Sequence, residues 1–342
     1  MKCIYSPAQE KHYPKSYLVN GVRQDNPESP VRVEMLLEGV RAAGMTLEAP
    51  REFDREQLLR AHPERYLSFL ENVSQRWQRI PGAADEVTPN IHPCQRSGGY
   101  PKSVVAQAGW HMLDASCPIT ADTWDSAVWS AWSAIHAAAA VVDGEAACYA
   151  LCRPPGHHAG PEVAGGFCYL NNTALAAEQL RTKFARVAIL DVDLHHGNGT
   201  QMCFYERADV LTVSLHAHPE RFYPFFWGYE DELGEGEGRG FNRNFPLPRG
   251  TGDELYLQTL DRAIEEVSAF EPDALVIALG LDGFEGDPIA GLAITTAGFK
   301  RIGDMIASRL PMPTVIVQEG GYPCEELGDN LASFVAGFGR GL

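Results

Sequence analysis

The chain has 342 residues, of which 45% are hydrophobic and 21% are charged, so it is long enough to bury a large core. Its net charge of −17 argues against non-specific binding to nucleic acid or to an anionic membrane, and favours small neutral or cationic ligands. No apolar run reaches the length of about 18 residues that predicts a membrane-spanning helix, and the N-terminus lacks the apolar core of a signal peptide. The eight cysteines form no C-x-x-C pair, so we expect reduced thiols and a cytoplasmic protein.

Apolar stretches with strand-like and helix-like spacing alternate along the sequence. Strands are predicted at residues 1–6, 146–152, 187–190, 210–215, 274–279 and 314–317. Helices are predicted at residues 30–44, 55–79, 123–142, 172–184, 253–270, 296–310 and 325–338. We expect Ser29 to cap the first helix, Pro30 to occupy its first position and Pro63 to interrupt the second. The length alone would also fit two domains, but this alternation predicts one α/β domain over residues 1–342, with a mainly parallel sheet and helices on both faces.

Two segments break this alternation and are predicted to be long loops. Residues 216–250 are rich in aromatic residues and glycine, and residues 80–113 combine prolines, glycines and scattered polar groups without a clear period. A loop as long as 80–113 is unusual inside a compact domain. It fits either a mobile surface insertion or a segment that is ordered by a second subunit or shapes the mouth of an active site. The second interpretation predicts a homodimer.

Polar residues directly follow four of the predicted strands. These segments are Arg153 to His158, Asp191 to His196, Asp282, and Glu319 to Tyr322. In open α/β sheets, ligands bind beyond the carboxyl ends of the strands. The sequence therefore predicts that four separate segments deliver their polar groups to one edge of the sheet.

Three of these residues form a predicted metal site. Asp193 and His195 are two positions apart, so on an extended backbone they point to the same side. Together with Asp282 they offer two carboxylates and one imidazole, and leave an open coordination position for catalysis. This set suits one Zn²⁺, and would also suit Fe²⁺, Co²⁺ or Mn²⁺. His196 lies beside the predicted ligands, and we assign it no role.

Two further histidines and a tyrosine are predicted to do the acid–base chemistry. His157 and His158 follow a rigid Pro-Pro-Gly turn and can act as general base and acid. Asp191 could orient one ring and Asn198 the other. Tyr322, which follows two glycines, can donate a hydrogen bond to a developing oxyanion. No serine or cysteine has a comparable setting, so we predict metal-assisted hydrolysis without an acyl-enzyme.

Five motifs of the chain resemble those of histone deacetylase-like amidohydrolases. They are residues 153–159, 166–172, 191–200, 279–282 with 286–288, and 319–322. They occur in the family's order, the similarity runs from near residue 26 to near residue 338, and the segments 26–32 and 61–67 also look like those of the family.

The resemblance implies an arginase/deacetylase fold with one catalytic zinc on Asp193, His195 and Asp282. It implies His158 as general base and acid, with His157 as its electrostatic partner, and Tyr322 as oxyanion donor. It also implies a structural potassium ion. The implied potassium ligands are Asp191, Ser214 and the backbone carbonyls of Asp193, His195 and Leu215. Phe167 and Tyr223, with Gly166, match the walls of the tunnel that binds the acylated amine.

Within the family, residues 80–113 look like the loop of bacterial acetylpolyamine amidohydrolases, where it builds a homodimer and narrows the active-site mouth. Those enzymes place an acidic residue in this loop, whereas residues 87–113 here contain no Asp or Glu; Asp85, Glu86 and Asp114 lie at its edges. We therefore predict a deacetylase of small N-acetylated amines, acetylpolyamines first, with acetyl-lysine in peptides as the alternative. Alternatives of another class are a non-catalytic acyl-group binder and a guanidine hydrolase with two manganese ions.

Overall fold

The computed structural model describes residues 1–93 and 99–339. Its strands are β1 (Lys2–Ile4), β2 (Ser16–Val19), β3 (Val22–Asp25), β4 (Thr46–Glu48), β5 (Ala147–Ala150), β6 (Val187–Asp191), β7 (Val210–Ala217), β8 (Asn242–Leu247), β9 (Ala274–Leu279) and β10 (Thr314–Gln318). Its α-helices are α1 (Val31–Ala42), α2 (Arg55–Leu58), α3 (Glu64–Trp77), α4 (Val104–His111), α5 (Thr123–Val142), α6 (Asn172–Leu180), α7 (Asn198–Phe204), α8 (Asp253–Phe270), α9 (Thr296–Arg309) and α10 (Leu327–Phe338). No helix within these residues is long and apolar enough to cross a membrane. Cys94 lies outside the described residues, and the seven cysteines within them are free thiols.

Eight strands form one sheet in the order β4-β1-β5-β10-β9-β6-β7-β8, and every neighbouring pair in it is parallel. The strands β2 and β3 form a separate antiparallel hairpin. The strands β5, β6, β9 and β10 are buried along their whole length, which is typical of a parallel sheet with both faces covered. The prediction of a single α/β domain with a mainly parallel sheet is confirmed.

Helices cover both faces of the sheet because successive side chains of each strand point to opposite sides. On β6, Ala188 and Leu190 pack with residues of α1, α8, α9 and α10, whereas Val187 and Ile189 pack with residues of α5 and α6. A third apolar cluster joins α3, α4 and α5 beside these layers. The two apolar layers fix the register of the strands, and so they also fix which side chains project from the strand ends.

Both segments that were predicted to be loops contain a regular element. The helix α4 lies within 80–113 and buries Ala108 in an apolar cluster with residues of α3 and α5, a tertiary contact that a short apolar stretch does not reveal. The strand β8 lies within 216–250, where its inward side chains include Asn242 and Asn244. Because those buried positions are polar, the strand lacks the apolar alternation that would have predicted it.

The bounds of three predicted helices also differ from the structure. Pro30 occupies the N-cap position of α1 instead of its first helical position, so Ser29 lies one residue too early to cap the helix. The predicted helix 55–79 is split into α2 and α3, and Pro63 directly precedes α3, as the interruption predicted there requires. The predicted helix 172–184 ends at Leu180, where the backbone turns towards β6.

Candidate active site

The four polar segments predicted from the sequence follow four strands that are adjacent in the sheet. These strands are β5, β10, β9 and β6, and their neighbouring pairs are parallel. Their carboxyl ends therefore meet at one edge. Arg153 to His158 follow β5, Glu319 to Tyr322 follow β10, and Asp282 follows β9. The fourth segment begins at Asp191, the last residue of β6. The predicted convergence is present in the structure.

Asp193, His195 and Asp282 form a buried cluster whose ligand atoms all lie within 4.8 Å of one another. His195 Nδ1 is 3.0 Å from Asp282 Oδ2 and 3.3 Å from Asp193 Oδ1. Backbone N–H groups orient both carboxylates, since Leu194 donates to Asp282 at 3.1 Å and Gly320 donates to Asp193 at 2.7 Å. The side chains that the sequence proposed as metal ligands are therefore held together and aimed at one point.

The electrostatics of this cluster fit a divalent cation. Burial raises the pKa of Asp282, and the neighbouring charge of Asp193 raises it further. Burial opposes protonation of His195, but hydrogen bonds to Asp193 and Asp282 outweigh it and raise its pKa to about 9. The positive charge of the His195 imidazolium thus balances the two buried carboxylates. A bound divalent metal would supply this positive charge instead, and His195 would then be neutral. Glycines keep the space open, because a Cβ on Gly280 or Gly320 would overlap the Asp193 carboxylate.

The tandem histidines lie beside this cluster, with ring centroids 4.1 Å apart. His157 Nδ1 is 2.9 Å from Asp191 Oδ2, and His158 Nδ1 is 2.7 Å from Asn198 Oδ1. Each ring therefore has its own orienting partner, as the sequence suggested. An amide oxygen accepts only, so it fixes the proton of neutral His158 on Nδ1 and leaves Nε2 free to accept another.

The two histidines have pKa values shifted in opposite directions. Burial lowers the pKa of His158 well below its ordinary value, and the charges of His157 and His195 lower it further. Burial also opposes protonation of His157, but the carboxylates of Asp193 and Asp191 outweigh it and raise its pKa well above the ordinary value. Paired groups whose environments separate their pKa values are typical of acid–base assignments. Here His158 is suited to accept a proton, and His157 to remain charged.

Residues 319–322 follow β10 and are called the β10 turn. Tyr322 is buried at the end of this turn, and its ring centroid is 5.7 Å from that of Phe167. The preceding Gly321 has a φ of +110°, a conformation that favours glycine. The Tyr322 backbone N–H donates to Asp287 Oδ2 at 2.9 Å. Burial raises the pKa of the Tyr322 phenol well above its ordinary value, and the charge of Asp282 adds to the shift. The hydroxyl is therefore kept protonated and available as a donor.

Two of the predicted tunnel residues, Tyr223 and Gly166, contact His158. The Tyr223 ring lies edge-on to the His158 ring at a centroid distance of 4.9 Å. Gly166 fits between the two rings, because a Cβ there would come within 2.5 Å of His158 Cδ2 and 2.9 Å of Tyr223 Cε1. Tyr17, from the β2–β3 hairpin, packs against Phe167 with ring centroids 5.3 Å apart. The sequence had not indicated Tyr17, because only the fold brings the hairpin to this wall.

Asp114, which directly follows the segment 80–113, also contacts the predicted tunnel residues. Asp114 Oδ2 accepts the hydroxyl of Tyr223 at 2.6 Å and the N–H of Gly166 at 3.2 Å. The Asp114 side chain is half-buried. Its sequence neighbourhood carries no signal for this contact, since Tyr223 is 109 positions away. A negative charge therefore lies beside the residues proposed to bind the substrate.

The histone deacetylase domain family matches residues 26–338. The chain belongs to this family. It is 46% identical to the acetylpolyamine amidohydrolase of Burkholderia pseudomallei over 340 residues, which cover 99% of each protein. It is 41% identical to acetylpolyamine amidohydrolase 1 of Pseudomonas aeruginosa over 342 residues, again 99% of each. The crystal structure of the B. pseudomallei acetylpolyamine aminohydrolase matches the fold with a TM-score of 0.96 and covers 99% of this chain and 98% of that one.

This member of the histone deacetylase family is a hydrolase, and the site described above lies within the matched region. Two of the side chains implied as potassium ligands lie next to each other in the sheet. Asp191 and Ser214 occupy directly paired positions of β6 and β7, and Leu215 follows Ser214 on the same strand. The structure thus puts a carboxylate and a hydroxyl on adjacent strands, as an oxygen-lined cation site would need.

His196, to which the sequence assigned no role, packs below the site. The centroid of its ring is 4.7 Å from that of the His216 ring, and its buried Nδ1 has no hydrogen-bond partner among residues 1–93 and 99–339. Burial lowers the pKa of His196 well below its ordinary value, and the nearby His216 adds to this effect. His196 is therefore held neutral, and it does not belong to the cluster of predicted metal ligands.

Proposed function

We propose that this protein is a metal-dependent amidohydrolase that releases acetate from N-acetylated amines, with acetylpolyamines as its preferred substrates. One observation carries the proposal. A buried Asp/His/Asp cluster lies beside two histidines whose pKa values are shifted in opposite directions and near a buried, protonated tyrosine. These are the groups that hydrolysis of an amide by an activated water requires.

Asp193, His195 and Asp282 would hold one divalent metal per subunit, and zinc suits this set of ligands best. Iron(II) or cobalt(II) would also suit two carboxylates and one imidazole. When bound, the metal would polarise the scissile carbonyl and lower the pKa of the attacking water. Among residues 1–93 and 99–339 this is the one such cluster of three ligand-bearing side chains, which supports a single metal over the two of a guanidine hydrolase.

The protein's own side chains would move the protons. His158 Nε2 takes a proton from the attacking water, while Asn198 holds the ring from the opposite nitrogen. The Tyr322 hydroxyl donates a hydrogen bond to the oxygen that becomes negative as the carbonyl carbon turns tetrahedral. The C–N bond then breaks, and His158 returns its proton to the departing amine. His157, paired with Asp191, supplies a fixed positive charge beside this exchange.

The walls of the tunnel favour an acyl group on a slender cationic amine. Phe167 and Tyr223 present aromatic surfaces to a methylene chain, and Asp114 supplies a carboxylate beside Tyr223. This carboxylate compensates for the absence of acidic residues from 87–113. The names of the two bacterial relatives support acetylpolyamines, and an acetyl-lysine peptide remains the alternative substrate. The cluster of Asp193, His195 and Asp282 beside two histidines with separated pKa values supports catalysis over a purely acyl-binding role.

Four further features belong to the proposal. A structural potassium ion would be bound by Asp191, Ser214 and the backbone carbonyls of Asp193, His195 and Leu215. The segment 80–113 would be an insertion in a single domain of residues 1–342, and it would form a homodimer interface. In support, Ile91 in that segment leaves 62% of its surface exposed. The free thiols of the described cysteines support a cytoplasmic location.

The experiment that tests the function compares kcat/KM for acetylputrescine, acetylspermidine and an acetyl-lysine peptide. We expect turnover of all three, with higher kcat/KM for the two polyamines. A higher value for the peptide would favour the alternative substrate. Metal-loaded protein that hydrolyses no acylated amine would instead support a binding protein.

A further inference from the structure

Glu319 is a fully buried carboxylate that the mechanism above does not use. It directly follows β10 and precedes Gly320, Gly321 and Tyr322. Burial of a carboxylate is costly unless hydrogen bonds replace its hydration. Its partners therefore indicate why an acid is present at this position.

Both oxygens of Glu319 have hydrogen-bond partners. Oε2 accepts the backbone N–H of Gly156 at 2.6 Å and the backbone N–H of His157 at 2.9 Å. Oε1 accepts the hydroxyl of Thr173 at 2.6 Å. Two of these three donors belong to the turn that carries the tandem histidines, and the third belongs to α6 behind it. The turn that carries the histidines, residues 153–158, is called the β5 turn. A side chain from the β10 turn thus holds the backbone of the β5 turn.

The β5 turn has little freedom to rearrange around this anchor. A Cβ on Gly156 would overlap the backbone of α6, so the turn lies directly against that helix. The carbonyl of His157 accepts the N–H of Thr200 at 3.0 Å, so α7 holds the other side of the same peptide segment. The backbone N–H groups of Gly156 and His157 depend on Glu319 as their acceptor. Loss of the Glu319 carboxylate would leave these two buried donors without acceptors, and the turn would move to satisfy them.

Glu319 is itself held rigidly. The guanidinium of Arg32 is fully buried, and it donates to the backbone carbonyl of Glu319 at 2.5 Å and to that of Gly321 at 2.6 Å. The Arg32 guanidinium is in turn 2.9 Å from the carboxylate of Glu28. The acceptor that holds the histidine turn is therefore part of a fixed buried network.

We infer that Glu319 is a positioning residue for the base, because it sets the backbone of the turn that carries His157 and His158 without touching substrate. A shift of about 1 Å in a catalytic group can cost about 100-fold in rate, so a small movement of this turn is sufficient to matter. This role rests on the proposed function, since it acts through His158.

Two substitutions at Glu319 separate the effect of side-chain length from the effect of charge. Glu319→Gln keeps the length of the side chain, so its amide oxygen can accept both N–H groups while its NH₂ group donates to the Thr173 hydroxyl. Glu319→Asp keeps the charge but is one methylene shorter, so it cannot reach the same three donors. We expect Glu319→Asp to lower kcat by about 10- to 100-fold, the range typical of partners that orient catalytic ligands, and Glu319→Gln to keep kcat within about threefold of wild type. We expect KM for acetylputrescine and bound metal to be unchanged in both.

Asp253→Ala is a matched control. The carboxylate of Asp253 accepts the backbone N–H and the hydroxyl of Thr295 at 2.9 and 2.7 Å, so its removal also breaks carboxylate hydrogen bonds in the fold. We expect this control to lower Tm while leaving kcat unchanged. The ¹⁵N NMR signals of the histidine rings supply a second readout that needs no turnover. Those of His157 and His158 should shift in Glu319→Asp and stay in place in the control.

The outcomes discriminate between the hypotheses. An inactive Glu319→Gln variant beside an active Glu319→Asp variant would mean that charge matters rather than position, and would overturn the inference. So would wild-type kcat and unshifted histidine signals in Glu319→Asp. If wild-type protein hydrolyses no acylated amine, the proposed function fails, and the NMR comparison still tests the positioning of the turn.

Discussion

Replacement of Tyr322 by phenylalanine tests the oxyanion role directly, because the substitution removes one oxygen and leaves the ring. The packing of the ring against Phe167 and the Arg32 guanidinium, whose centre lies 5.1 Å from the ring centroid, is available to either side chain. The backbone N–H of residue 322 would still donate to Asp287. The fold should therefore survive, and the change should isolate the hydroxyl.

We expect Tyr322→Phe to lower kcat by about 10²–10³-fold, or about 2.7–4 kcal/mol, the magnitude typical of one oxyanion donor. KM for acetylputrescine should change little, because the hydrogen bond strengthens only as the carbonyl oxygen becomes negative. Steady-state kinetics of metal-loaded protein measure both quantities. The effect should be present at neutral pH, since the raised pKa of Tyr322 keeps the wild-type phenol protonated there.

Tyr66→Phe is the matched control for this substitution. Tyr66 is also fully buried, and its hydroxyl donates to the backbone carbonyl of Tyr169 at 2.7 Å. Its loss should lower the free energy of unfolding by about 1 kcal/mol without changing kcat. The reasoning is refuted if Tyr322→Phe retains more than about one tenth of wild-type kcat, or if Tyr66→Phe loses as much activity.

Substitutions at three further residues probe orientation, specificity and acid stability. Asn198→Ala removes the acceptor that fixes the His158 tautomer and should lower kcat by about 10- to 100-fold, whereas Asn198→Asp, which keeps an acceptor, should lose much less. Asp114→Asn removes a half-buried charge worth up to about 1 kcal/mol to a cationic substrate, so KM for acetylputrescine should rise up to about fivefold while KM for an uncharged acetylated amine stays constant. Burial lowers the pKa of His62 to about 4, so between about pH 6.5 and pH 4 the unfolded chain binds more protons than the folded one. The free energy of unfolding should therefore fall as the pH drops through this range. This group contributes about 3 kcal/mol to that loss, and urea unfolding of His62→Gln across this range should show a shallower pH dependence.

The parts of the site that the sequence predicted are those governed by short-range geometry. Asp193 and His195 come directly after a buried strand and are two positions apart, a spacing that on an extended backbone predicts a common direction. Both residues lie in the bend after β6, and this bend keeps their ligand atoms together. Asp282 and Tyr322 also follow apolar strands, and the rule that parallel strands deliver ligands at their carboxyl ends brings them to the same edge. The parallel sheet itself follows from the alternation of strands and helices.

The parts that the sequence did not predict depend on contacts between distant segments. Glu319 lies 163 positions from Gly156, and no local pattern indicates that its side chain holds that backbone. Asp114 meets Tyr223 across 109 positions, although the residues around it predict only a loop. The strand β8 was missed because its buried positions include asparagines, whose partners are likewise remote. A buried polar contact can thus be predicted only when both partners are known, whereas apolar periodicity can be recognised within a single segment of the sequence.

The β10 turn has a central place in the site because its strand lies between β5 and β9 in the sheet. Its carboxylate, on Glu319, holds the turn that bears the base, and the N–H of Gly320 holds the predicted metal ligand Asp193. The N–H of Tyr322 is held by Asp287, from the segment after β9. One turn of four residues therefore relates the base, a metal ligand and the oxyanion donor to one another through buried hydrogen bonds. Because these bonds are shared, displacement of any one of the three groups should disturb the other two, and substitutions within this turn should be less additive than substitutions elsewhere at the site.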